Sequence, residues 1–139
     1  MRSPMFAPVI ALVIWTFVMW VWLYATRIPA LSRLGIVYDP AKPNEAFAAQ
    51  LPPAVRWKAD NYNNLMEQPP LFYAVAIVLA LTGAGHGLNL WLAWLYVGAR
   101  VVHSLVHALV NIVLIRFALF AIASAFLLAL TIRAALAVF

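Results

Sequence analysis

The run YVGARVVHSLVHALVNIVLIRF, residues 96–117, decides the fold. It is apolar enough for lipid, yet it carries Tyr96, Arg100, His103, His107 and Asn111. Their spacings are four, three, four and four, which is helical periodicity, so they form one stripe down one helix face. An arginine in the middle of a membrane span costs about 2.5–3.5 kcal/mol even on insertion scales. A chain that keeps such a stripe must turn it toward something other than acyl chains.

The composition around this run agrees. Of 139 residues 67% are hydrophobic and 9% charged, with a mean hydropathy of +0.96. These values imply an all-α, multi-pass integral membrane protein of about four helices. There is no cysteine, which excludes a disulfide scaffold and thiolate metal sites, so thiol chemistry needs a thiol from outside. The net charge is +5. Its basic residues gather in one loop, which reads as membrane orientation and affinity for lipid head groups, with no nucleic-acid partner.

Outward from the stripe, the apolar run Phe6–Ala25 is one span. A signal peptide is the competing reading, but its apolar core is longer than the usual ~7–15 residues. Residues 26–60 hold Pro29, Pro40, Pro43, Pro52 and Pro53 and most of the charges, and read as a soluble loop. Trp57 and Lys58 look like interface anchors. Asn64, Glu67 and the pair Pro69-Pro70 fall in the second helix, where the prolines predict a kink or a late start. TGAGHGLN (82–89) is a glycine-rich turn. The apolar block after it would make a helix of about 75 Å, more than twice a bilayer core. It must fold back, between Asn111 and Arg116. The expected helices are therefore about 5–25, 61–82, 89–111 and 116–138, in one domain with a cytoplasmic loop at 26–60. Five Lys/Arg in the first loop and Arg116 in the third turn place both on the cytoplasmic side, with both termini outside.

Under this topology Asn64 and Glu67, which share a helix face, lie at the depth of the stripe. Glu67 and Arg100 are then natural charge partners, and a packing role and a ligand-binding role are both open to them. His103 and His107 can bond neighbouring helices. A metal site is not expected, since only Glu67 offers a third ligand and no HExxH pattern occurs. No lysine in a span offers a retinal Schiff base, and two histidines on one face are poorly placed for axial haem ligation.

The runs NYNNLMEQPPLFY (61–73) and YVGARVVHSLVHALVNIVLIRF (96–117) resemble the MAPEG family, the membrane-associated proteins in eicosanoid and glutathione metabolism. The resemblance implies a four-helix bundle, a homotrimer, and a site between subunits that holds glutathione as co-substrate. It implies that Asn64 and Glu67 bind the ligand, with Glu67 at its amino group. It assigns Arg100 and His103 to the family's Arg-x-x-His positions, Arg116 to the arginine that stabilises the thiolate, and Arg27 to another ligand contact. His107 stands where the family has a tyrosine. Asp60 and Asn63 stand where members that bind glutathione well often have arginines, which removes two charge-assisted contacts.

The function expected is a glutathione-dependent transferase or peroxidase acting on lipophilic electrophiles or lipid hydroperoxides. Arg116 and His103 would be catalytic, and Asn64, Glu67, Arg100, His107 and Arg27 would bind the co-substrate. The substrate is a lipophilic small molecule arriving from the membrane lipids, and the expected location is a bacterial inner membrane. The opposing reading is a non-catalytic protein binding a lipid or small amphiphile, its polar stripe serving trimer assembly. A transporter finds little support, because no repeat symmetry or broken-helix pair is present.

Overall fold

A computed structural model describes residues 2–139. It is all-helical. α1 spans Phe6–Leu34, α2 Asn44–Ala48, α3 Pro53–Leu65, α4 Pro69–Leu81, α5 Leu88–Leu109 and α6 Val113–Val138. Four stretches are long and apolar enough to cross a membrane: α1, α3 with α4 taken as one, α5 and α6. The bundle centres on α5, which packs against α6, α3 and α1, while α4 packs against α6 and α1.

The core is built from one face of each span. Leu12, Leu65, Phe72, Leu79, Ala93 and Leu130 are all fully buried. Small residues such as Ala76, Ala93 and Ala123 let the helices approach closely. Most other large side chains, among them Phe17, Trp91, Leu114 and Leu136, stay exposed on the outer surface. An apolar exterior on helices of this length is what a hydrocarbon solvent demands.

The helix bounds differ from the sequence expectation at the first loop. α1 continues through Thr26 to Leu34 with Pro29 inside it. Proline removes one hydrogen bond, and one loss does not break a helix whose neighbouring turns are intact. The helix stops instead at Gly35, whose left-handed φ of 63° lets its N–H and that of Ile36 reach back to Ser32 and Leu31. At the other end of the expected loop, Pro52-Pro53 starts α3, because proline is pre-organised for a first helical turn. The interval 26–60 is thus mostly helical.

The second span is broken, as its proline pair predicts. α3 stops at Leu65 and α4 begins at Pro69. Pro69 and Pro70 occupy the first turn of α4, where their missing N–H groups cost nothing. Met66, Glu67 and Gln68 form the break between them. Gln68 satisfies it by donating from Nε2 to the Ser124 hydroxyl at 2.8 Å and accepting the Tyr96 hydroxyl at 3.1 Å. Three spans are tied together at that point.

The fold-back between α5 and α6 takes three residues, 110–112. Asn111 adopts a φ of 50°, the one non-glycine residue with positive φ among those described. Its N–H bonds the Val106 carbonyl at 2.7 Å, closing the end of α5. Asparagine tolerates this conformation better than other non-glycine residues.

Candidate active site

Four of the five residues of the stripe read from the sequence form one buried face of α5. Tyr96 and Arg100 are fully buried, and His103 and His107 are 2% and 3% exposed. All four are covered by their own chain. These four side chains make their contacts inside the protomer, while Asn111, the fifth residue of the stripe, is only half-buried. The buried face knits α5 to α3: Ser104 donates to Asn61 Oδ1 at 2.8 Å, and Arg100 donates from one terminal nitrogen to Asn64.

Arg100 does not pair with Glu67. Its Nη2 reaches Asn64 Oδ1 at 2.6 Å and the Asn64 backbone carbonyl at 3.2 Å. The break in the second span explains the change. Asn64 lies in the last turn of α3, where carbonyls lack helical partners and the helix dipole favours a cation. Glu67 lies past the helix end, outside its register, and is exposed. The buried cation is thus held by a helix terminus and an amide. The Phe120 ring adds a cation–π contact, 6.0 Å from the guanidinium carbon. Nε and Nη1 of Arg100 remain buried without hydrogen-bond partners.

Beside this buried face lies a hollow of about 270 Å³. Asn64 and Glu67 from the second span, His103 from α5, and Arg116, Phe117 and Phe120 from α6 line it. Arg116 is fixed by the turn that precedes it, its Nη1 donating to Asn111 Oδ1 at 2.5 Å. The Nε of Arg116 and Nδ1 of His103 are buried and unpartnered. His103 also packs against the Phe120 ring at 6.3 Å and edge-on to His107 at 5.9 Å. A carboxylate, an amide, an imidazole and a guanidinium thus share one hollow with aromatic walls. Such a set accepts a ligand with a cationic end for Glu67 and an anionic atom for Arg116.

Of the residues expected at the site, Asn64, Glu67, His103 and Arg116 come together here. Arg100 stands behind them, touching the site through Asn64. His107 is buried next to His103 and does not line the hollow. Arg27 is elsewhere, in a second hollow with Arg56 and Asp60. Among the described residues no group of three His, Asp or Glu is placed to hold a metal ion.

The family model for MAPEG matches residues 5–136. The chain belongs to the MAPEG family. No curated protein and no solved structure matches it. Membership agrees with the all-helical fold and its four apolar spans, and makes this an integral membrane protein of a family that includes glutathione-dependent enzymes.

Sequence reasoning missed the roles of four residues in this MAPEG chain. Asn111 was read as part of the stripe, whereas it makes the turn and holds Arg116. An asparagine between two long helical runs without glycine or proline is the signal that identifies it. Gln68, next to the prolines, ties the break to α5 and α6. Phe117 and Phe120 form the apolar wall, and nothing distinguishes them in sequence from any other lipid-facing aromatic.

Proposed function

We propose that this MAPEG protein is a glutathione-dependent transferase or peroxidase whose thiol site is the hollow between Glu67 and Arg116. The observation that carries the reading is that shared hollow: Asn64 and Glu67 of the second span, His103 of α5 and Arg116 of α6 line one space of ligand scale. The donor set fits part of glutathione well. Glu67 suits its amino group, and Arg116 suits its sulfur. Two unpartnered buried nitrogens, on His103 and Arg116, leave hydrogen-bonding capacity for a polar ligand. Arg116, the one cation among the hollow's lining residues, is taken by the sulfur, so both carboxylates of glutathione need partners from outside it. A homotrimer, with a neighbouring subunit completing the site, meets that need.

The chemistry follows from charge. A free thiol has a pKa near 8.5, and an adjacent guanidinium favours the thiolate, which is the nucleophile. Arg116 is held in place by Asn111 and does not have to reorganise when charge develops. His103 donates or accepts a hydrogen bond beside it. Phe117 is 67% exposed on the outer face of α6, so a lipophilic electrophile or hydroperoxide reaches the sulfur laterally from the bilayer. The site opens toward the cytoplasm under the positive-inside orientation.

The test is conjugation of glutathione to a chlorodinitrobenzene-type electrophile by purified protein. Turnover is expected, and Arg116→Ala should lower it by about 10²–10³-fold, the scale of a lost charge-stabilising group, while the unfolding midpoint stays unchanged. Absence of turnover in the unaltered protein, or an Arg116→Ala variant as active as the parent, rejects the reading.

A further inference from the structure

At the end of the bundle away from Arg116, the glycine-rich turn between α4 and α5 meets the segment that leads into α1. Gly85 is buried at the meeting point. A Cβ on it would collide with Ser3 Oγ and lie 2.9 Å from Met5 Cβ, so the close approach requires glycine. Met5 is fully buried and anchors its side. On the other side, Asn89 Nδ2 donates to the Ala84 carbonyl at 2.8 Å, and Asn89 Oδ1 accepts from Arg133 Nε. The turn is therefore braced from two directions.

Between the turn and the segment lies a hollow of about 350 Å³, lined among others by Arg2, Ser3, Phe6, Leu81, Gly85 and His86. It shares no residue with the thiol site. His103 stands fifteen residues beyond Leu88 along α5, about 22 Å away at 1.5 Å per residue. Charge at this end is one-sided. The four acidic residues, Asp39, Glu45, Asp60 and Glu67, all fall within 39–67, and none lines the hollow. α1 begins at Phe6 without an acid in its first turn, so the positive end of its dipole adds to the charge of Arg2.

Arg2 and His86 are both exposed. The guanidinium presents a fork of donors, and the imidazole donates a ring N–H in either protonation state. Ser3 Oγ accepts the Met5 N–H at 3.3 Å, and its hydroxyl still has a proton to donate. Donors with no carboxylate among them suit an anion, and the planar fork of arginine matches phosphate oxygens two at a time. The apolar lip of the hollow selects the source of that phosphate. Phe6 opens the apolar run of α1 and Leu81 closes that of α4, and they are 39% and 77% exposed. A ligand held here touches the head-group layer and the hydrocarbon together, which a lipid does and a soluble phosphate does not. An ammonium on the head group would find no carboxylate to meet it.

We infer that this hollow binds an anionic phospholipid without an amine, of the phosphatidylglycerol kind. Its phosphate sits on Arg2 and His86, and its acyl chains run down past Phe6 and Leu81.

Native mass spectrometry of the purified, detergent-solubilised protein tests it. Phosphatidylglycerol, phosphatidylethanolamine and phosphatidylcholine with identical acyl chains are titrated separately. Phosphatidylglycerol should be retained at about tenfold lower concentration than either of the others, a difference of about 1.4 kcal/mol. The double variant Arg2→Gln/His86→Gln changes only exposed side chains, so its unfolding midpoint should be unchanged, and the preference should disappear. Arg33→Gln/Lys42→Gln removes two exposed cations from the segment between α1 and α3 and should leave the preference intact. Inorganic phosphate in excess should not displace the lipid. Equal retention of the three lipids, or a preference that survives Arg2→Gln/His86→Gln, overturns the proposal. So does a preference lost in Arg33→Gln/Lys42→Gln, which moves the site to the other end, or displacement by inorganic phosphate, which makes the ligand a soluble anion.

Discussion

Arg100 is a cation with no carboxylate against it, and the end of α3 is what holds it. A last-turn carbonyl and an asparagine amide replace the expected glutamate. From the sequence, Arg100 and Glu67 are two buried charges at one depth, and pairing is the cheapest arrangement for both. The proline pair removes the premise, because it ends the helix before Glu67 and leaves that residue exposed. Which residues are polar and on which face was readable; which of them touch was not, since that depends on where α3 stops. Asn111 carries a sharper consequence at this scale. It combines a left-handed backbone with a side-chain bond to Arg116. Asn111→Ala should destabilise the protein by about 1–2 kcal/mol, the cost of left-handed backbone for a residue with a Cβ. Asn111→Gly should keep stability within a few tenths of a kcal/mol, because glycine adopts that backbone freely. Both should lower glutathione conjugation by losing the brace on Arg116. Denaturant titration and turnover, measured on the same preparations, separate the two effects.

At the scale of elements, the decisive feature is the interruption between α3 and α4. Apolar periodicity marks a span there, and Pro69-Pro70 marks the disturbance within it. The outcome, three residues outside helix with Gln68 bonded to two other spans, follows from the need to satisfy every polar group away from water. The far turn, TGAGHGLN, was legible for a similar reason: Gly83 and Gly87 both take positive φ, which few other residues supply. The first loop was not legible, because Pro29 and the charges around it suggest an end that the helix passes through. For Pro69→Ala/Pro70→Ala, α3 and α4 gain the donors they lack and can join into one helix. That moves Glu67 from its place at the break into helical register, onto the face of Asn64 and toward Arg100. The double variant should change the unfolding free energy by less than about 1 kcal/mol, while turnover falls at least about tenfold, or ~1.4 kcal/mol of activation free energy.

For the whole molecule, four spans and an apolar outer surface leave little freedom in architecture, and the family match over residues 5–136 agrees with it. Orientation rests on charge. The cation-rich segment between α1 and α3 and the turn carrying Arg116 belong on one side, which positive-inside makes the cytoplasm. Reporter fusions at the two ends of the chain should both give an external signal, and a cytoplasmic signal from both would reverse the assignment. The proposed thiol site lies in the half of the bundle nearest Arg116, so the same result fixes which compartment would supply its co-substrate. Calorimetric titration of the purified protein with glutathione tests the central claim most directly. Saturable binding is expected, weakened at least about tenfold (~1.4 kcal/mol) in Glu67→Gln, which keeps the shape and removes the charge facing the amino group. No heat of binding in the unaltered protein, or an affinity that Glu67→Gln leaves untouched, would contradict the account.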